Sequence, residues 1–298
     1  MGNGGETAPA RGVGVTQERA MSICAAFRRI AVVAGVSVVG AILVTPSVAN
    51  ADQGPLGYVG PAQHSPQSNS PTLNKGSQQF TSRNWDGYVS YASDQSTEFN
   101  EIKATWIQPT VTCQTAGAWT VFWVGLDGWF NNTVEQGGSE AYCSTTEGTP
   151  AYHLWWEMFP TNAIQTTLTI NPGDEITADV RYVKSTSTFV IRVADETSEQ
   201  SFTTNQQCAI ALVCQRSSTD VITEDVGNFN GGYFPLANYG TMGYTDAHVK
   251  NTSDLRGSIS GKHWLDGAVT ESSGGTNYAS VSPLSNGGTA FSTTWLHQ

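Results

Sequence analysis

Beyond Asn84 no stretch of a dozen residues spaces its apolar side chains at helical intervals, and this constrains the fold more than any other feature of the sequence. Short β-branched or aromatic runs follow one another instead: Trp85 to Tyr91, Glu101 to Gln108, Trp119 to Leu126, Tyr152 to Phe159, Gln165 to Ile170, Glu175 to Val183, Thr188 to Val193, Ser201 to Thr204, Asp220 to Asp225 and Thr241 to Val249. Turn signals separate them, most clearly Asn171-Pro172-Gly173-Asp174. Strands at this spacing with no helices between them predict an all-β, antiparallel sandwich or barrel, built as a single domain over residues 84–298.

The first 83 residues read differently. Arg28-Arg29 precede an apolar run from Ile30 to Val44, and Ala49-Asn50-Ala51 has the small-x-small form of a signal-peptidase site, so residues 1–51 are expected to be a signal peptide. The run is too short for a membrane span of roughly 20 residues. Residues 52–83 are rich in Pro, Gly, Ser, Gln and Asn and poor in large aliphatics, the composition of a linker or short pro-segment. The chain is therefore expected to be secreted and extracellular.

Charge limits the partners. Removing residues 1–51 takes four of the 14 basic and two of the 25 acidic residues, leaving a net charge of −13. Such a surface argues against nucleic acid or an anionic membrane as partner. It also suits acid, because a charge-poor chain has few ionised carboxylates whose protonation would unfold it. Four cysteines remain, Cys113, Cys143, Cys208 and Cys214, an even number that permits three pairings. The pairing adopted is Cys113 with Cys143 and Cys208 with Cys214, the second closing a small loop. Neither a CxxC nor a His cluster supports a zinc site, and no cofactor is expected.

Chemistry concentrates in three stretches. In Trp123-Val124-Gly125-Leu126-Asp127-Gly128 alternation puts Trp123, Gly125 and Asp127 on one face and turns Val124 and Leu126 inward. Asp127-Gly128 is a hairpin-type turn, after which Thr133 to Gly137 returns with Gln136 near its end. In Tyr152 to Pro160, Trp155, Glu157 and Phe159 share a face. In Asp220 to Val226, Asp220, Ile222 and Glu224 do. No GxSxG elbow, HExxH, calcium loop or His-containing triad frame is present, which leaves carboxylate chemistry on an exported β-sandwich.

These residues carry a resemblance. Asn84-Trp85-Asp86-Gly87, Trp123 through Gly128 with Glu135-Gln136-Gly137, Tyr152 through Pro160, Ile222-Thr223-Glu224-Asp225 and Pro235 through Gly240 occur in the order found in the glutamic peptidases, the eqolisin family, and the chain resembles a bacterial-type member. The resemblance implies a two-sheet sandwich of jelly-roll or concanavalin-like type with one concave substrate-binding sheet, and a catalytic pair of Gln136 and Glu224. It also implies groove positions for Trp85, Trp123, Asp127, Glu157 and Phe159. Val226 and Phe159 depart from the pattern, standing where fungal relatives tend to carry an aromatic and a Tyr.

The chemistry so implied is acid endopeptidase action on polypeptide substrates, by a monomer, without metal or covalent intermediate. Glu224, ionised at rest, takes a proton from a water held between it and Gln136 and returns it to the leaving nitrogen, while the amide of Gln136 orients the water and stabilises the oxyanion. Two rivals stand beside it: a jelly-roll glycoside hydrolase using Glu157 and Glu224 as paired carboxylates, and a carbohydrate-binding module needing only the aromatics. The tail from Asn251 to Gln298 matches no motif and is expected to add strands.

Overall fold

The computed structural model of the chain describes residues 77–92, 97–228 and 231–298. In chain order the strands are β1 (Gln78–Ser82), β2 (Trp85–Tyr91), β3 (Phe99–Ile107), β4 (Trp119–Asp127), β5 (Val134–Tyr142), β6 (Ala151–Phe159), β7 (Ile164–Thr169), β8 (Glu175–Val183) and β9 (Thr188–Asp195). They continue with β10 (Gln200–Gln206), β11 (Ser218–Glu224), β12 (Thr241–Asn251), β13 (Arg256–Gly257), β14 (Leu265–Ser273), β15 (Thr276–Asn277), β16 (Ala279–Val281) and β17 (Phe291–Trp295). Two sheets result. The first runs β1-β14-β2-β11-β4-β5-β6-β7, with β15 on β14, and the second β10-β9-β8-β3-β12-β17-β16, with β13 on β12.

Alternation decides what each face carries. On the first sheet Tyr88, Phe122, Val124, Leu126, Leu154 and Val221 point one way and pack against Ile102, Trp106, Ile176, Val180, Ile191, Val193 and Tyr244 of the second sheet. That is the core of the sandwich. The opposite face of the first sheet is also apolar, and it is aromatic: Trp85, Trp119, Trp123 and Trp155 pack there with Tyr91, Tyr142, Ile222 and Val269, joined by Trp129 from the turn after β4. A sheet buried on both faces explains why β2, β4, β5 and β11 contain no exposed residue.

The all-β sandwich and both disulfides, Cys113–Cys143 and Cys208–Cys214, are present as read from the sequence. One boundary moves. The first strand begins at Gln78, inside the stretch 52–83 read as linker, and pairs in parallel with β14 from the far end of the chain. It has a single large apolar side chain, Phe80, and its partner lies almost 190 positions away, so no local pattern marks it. The signal peptide and residues 52–76 of the linker lie outside the described residues. The tail does supply strands: β14 inserts between β1 and β2, while β16 and β17 extend the second sheet.

Candidate active site

The aromatic face of the first sheet also carries the acids. Register places Trp85, Glu224, Val121, Glu140 and His153 in one row across β2, β11, β4, β5 and β6. Four residues along, a second row holds Val89, Asp220, Gly125, Gln136 and Glu157. Between them lies a third, Ile222, Trp123, Gly138 and Trp155. Gln136 and Glu224, 88 positions apart in sequence, therefore project from the same surface.

Trp123 fits between the two outer rows because its neighbours have no side chains. A Cβ on Gly125 would stand 2.9 Å from the Trp123 ring and 3.2 Å from Cβ of Gln136, and one on Gly138 would fall 1.9 Å from the Phe122 carbonyl oxygen. The ring also meets Trp85 edge-on, with centroids 5.0 Å apart. Its indole Nε1 then donates to Glu224 Oε2 at 2.7 Å, and Asn84 Nδ2 donates to Glu224 Oε1 at 2.9 Å. Asn84 is held in turn by Ser82 Oγ, which donates to its Oδ1 at 3.4 Å.

Glu224 is 3% exposed. Burial pushes its carboxyl up to about 8, against the pull of hydrogen bonding from Trp123, Trp85 and Asn84. This alters the expectation of a glutamate ionised at rest in acid, since a group titrating there keeps its proton. Glu157 lies well above the ordinary glutamate range, first through burial and then through the charge of Glu224, with its Gln136 hydrogen bond opposing. Gln136 Nε2 donates to Glu157 Oε2 at 2.6 Å. Gln136 Oε1 and Glu157 Oε1 are buried without a partner among the described residues. Gln136 is thus bonded to Glu157, and Glu157 in turn feels the charge of Glu224 on the same face.

The remaining acids divide into two sets. Around Glu224, burial raises Asp225, Asp86 and Glu271; the charge of Glu224 adds to the first and last of these. Glu271 is paired with Ser82 and comes level with Trp85 two residues on from the Val269–Gly87 pair. Beyond Gln136, burial and then the charge of Asp127 raise Glu135 and Asp220.

Asp127, expected as a groove residue, has another task. It adopts a left-handed φ of 68° and accepts from the Arg216 amide at 2.7 Å, the Ser217 amide at 2.8 Å and Asn131 Nδ2 at 2.7 Å. Its carboxylate is spent fastening the β4–β5 turn to the segment ahead of β11, and it is fully buried. Trp85 and Trp123 wall the pair, and Phe159 lies half-buried at the end of β6 beside Val134. Two members of the site escaped the sequence reading. Asn84 stood inside a quoted motif without an assigned role, and Glu271 sits in the tail, where no motif flagged it.

The sequence profile of the Peptidase A4 family matches residues 83–293. The chain belongs to this family, that of the glutamic peptidases. Among solved structures it is similar to scytalido-glutamic peptidase with a transition-state analogue inhibitor, at 21% identity and a TM-score of 0.61 over 72% of this chain and 98% of that one. It is also similar to SCP-B, an eqolisin-family member in complex with the tripeptide Ala-Ile-His, at 21% identity and a TM-score of 0.59 over 72% and 98%. Aspergilloglutamic peptidase from Aspergillus niger matches at 22% identity and a TM-score of 0.52 over 60% and 99%. At these identities the likenesses show the shared sandwich fold of the Peptidase A4 family. A comparison with curated protein sequences gave no match.

Proposed function

We propose that this Peptidase A4 member is an exported acid endopeptidase in which Glu224 carries the proton and Gln136 positions the water. The observation behind this reading is the presence on one buried face of a carboxyl caged by two N–H donors and of an amide whose oxygen has no partner among the described residues.

The height at which Glu224 titrates sets the order of events. At about pH 4 a carboxyl raised to about 8 is protonated, so it begins as an acid. Its proton passes to the scissile carbonyl oxygen while a water, held through Gln136 Oε1, adds to the carbon. The Glu224 anion that results is held by Asn84 and Trp123, and it takes the surplus proton of the added water. The carboxyl then gives a proton to the leaving nitrogen, the C–N bond breaks, and the product acid returns a proton to Glu224. No covalent intermediate forms. Gln136 has two N–H donors; one is used by Glu157 and the other is free to support the carbonyl oxygen as charge develops on it. Trp85, Trp123 and Phe159 line the path of the substrate.

The test compares peptide release from casein with sugar release from a panel of β-glycans at about pH 4, in wild type and Glu224→Gln. Peptide release that disappears in the variant supports the reading. Glycan release in its place would return the site to paired-carboxylate glycosidase chemistry.

A further inference from the structure

Next to Glu224 lies a cavity that the proposed mechanism does not use. Residues 81–83, where β1 ends, form one side, and residues 272–275, where β14 turns toward β15, form the other. It encloses about 500 Å³, within the size range of ligand pockets. Its wall is continuous with the catalytic group, because Ser82 Oγ donates to Asn84 and Asn84 donates to Glu224. The lining is polar. Ser82 and Ser272 have their hydroxyls bonded within the protein, to Asn84 Oδ1 and the Thr276 carbonyl, and the turn at Gly274 and Gly275 takes left-handed φ values of 62° and 84° with open space on the side where a Cβ would stand.

The cation in this cavity is Arg83. The other four arginines among the described residues are committed: Arg181 to Asp179, Arg192 to Glu196, Arg216 to Glu98 and Arg256 to Glu101. Arg83 has no carboxylate within ion-pairing distance among the described residues, and it is exposed. Its guanidinium carbon lies over the Tyr233 ring, 5.4 Å from the centroid, at a cation–π distance. Burial raises the Tyr233 hydroxyl, and the charges of Arg83, which lowers it, and of Glu224, Asp225 and Glu271, which raise it, also reach it. On a chain with far more acids than bases, an uncommitted arginine beside the reacting carboxyl is the group an anionic part of a substrate would meet.

Resting on the peptidase reading above, we propose that this cavity is a substrate subsite in which Arg83 selects a carboxylate, carried either on an acidic side chain or at the C-terminus of the peptide. The experiment uses matched peptides at about pH 5, where a substrate glutamate is ionised. One series places Glu or Gln at each position around the cleaved bond, and another carries a free or an amidated C-terminus. In wild type one position, or the free terminus, is favoured by about fivefold in kcat/KM, the scale of a partly exposed ion pair. The difference falls in KM and shrinks with added salt. Arg83→Gln brings that ratio to one, and Arg83→Glu reverses it in favour of the Gln or amidated peptide. A ratio unchanged in both variants, or no preference in wild type, overturns the subsite while leaving the peptidase reading intact. If wild type cleaves none of the peptides, the peptidase reading itself fails.

Discussion

Glu140 and Glu157 lie on the same face of neighbouring strands, both almost wholly buried, and the protein treats them in opposite ways. Glu140 has each oxygen engaged: Trp119 Nε1 donates to Oε2 at 2.9 Å, while His153 Nδ1 lies 3.1 Å from Oε1 and Gln165 Nε2 bonds the same atom. Glu157 has one bond, from Gln136, and its other oxygen faces no partner among the described residues. A buried carboxyl that is fully hydrogen-bonded holds structure together. One left half-satisfied beside a second buried glutamate costs stability, and folds keep such arrangements where chemistry needs them.

The widest separation between the two regions should appear in turnover. Glu224→Gln is expected to lose three to four orders of magnitude in kcat, about the range of a positioned proton-transfer group, with the fold retained. Glu140→Gln should stay within about threefold of wild type, yet lose about 1–3 kcal/mol in chemical denaturation as a buried network is broken. Equal loss of turnover in both variants would erase the distinction. Gln136→Ala comes next, with a loss of roughly two to three orders of magnitude from one polar contact to the developing charge. A folded Gln136→Ala protein with near-normal rates would remove the amide from the mechanism.

Stability against pH sharpens the comparison further. Asp86, Glu135, Glu157, Asp220, Asp225 and Glu271 are all raised by burial, as is Glu224, so the folded chain holds protons that the unfolded chain releases near pH 4. Their contribution is complete below the unfolded values and is lost as pH rises through the folded ones, for Glu224 between about 4 and about 8. Each group that titrates in this interval costs about 1.4 kcal/mol per pH unit. Thermal melts should therefore give a midpoint highest in acid and falling steadily toward neutrality. A midpoint that rises from pH 4 to pH 8 would contradict the placement of these acids. The acid suitability read from low charge thus has a second and stronger source in the carboxyls buried on both faces of the first sheet.

What the sequence made legible was whatever alternation encodes. Strand periodicity put Trp123 with Asp127, Trp155 with Glu157 and Phe159, and Ile222 with Glu224, and the register places these groups on a single surface. It turned Val124 and Leu126 toward the core, where they pack against the second sheet, but could not report that the opposite, aromatic face is buried as well. Nor could it foresee β1 or Glu271, since each owes its position to a pairing between the two ends of the folded domain. Asp127 shows a further limit. Its turn was legible, but the amides of Arg216 and Ser217 that claim its carboxylate arrive from about 90 positions away. The protonation of Glu224 depends on how completely it is buried, a quantity that spacing does not contain.

The smallest expected effect isolates Glu157. In Glu157→Gln the side chain keeps its shape and an oxygen that can accept from Gln136 Nε2, while losing the ability to ionise. The folded-state value of Glu157 is raised, so the wild-type group destabilises the fold as pH climbs, and the variant has no such group to titrate. Its melting midpoint should match wild type within a few degrees in acid and decline less steeply toward neutral pH, by the share of one carboxyl among the eight that burial raises, Asp179 of the second sheet included. The same exchange at Glu140 has the opposite sign, lowering the midpoint at every pH, because there the carboxylate is the acceptor for three side chains. Parallel loss of stability in the two variants would mean that Glu157, like Glu140, is held as a structural hydrogen-bond acceptor, and the half-satisfied carboxyl beside Gln136 would no longer distinguish the reacting end of the face.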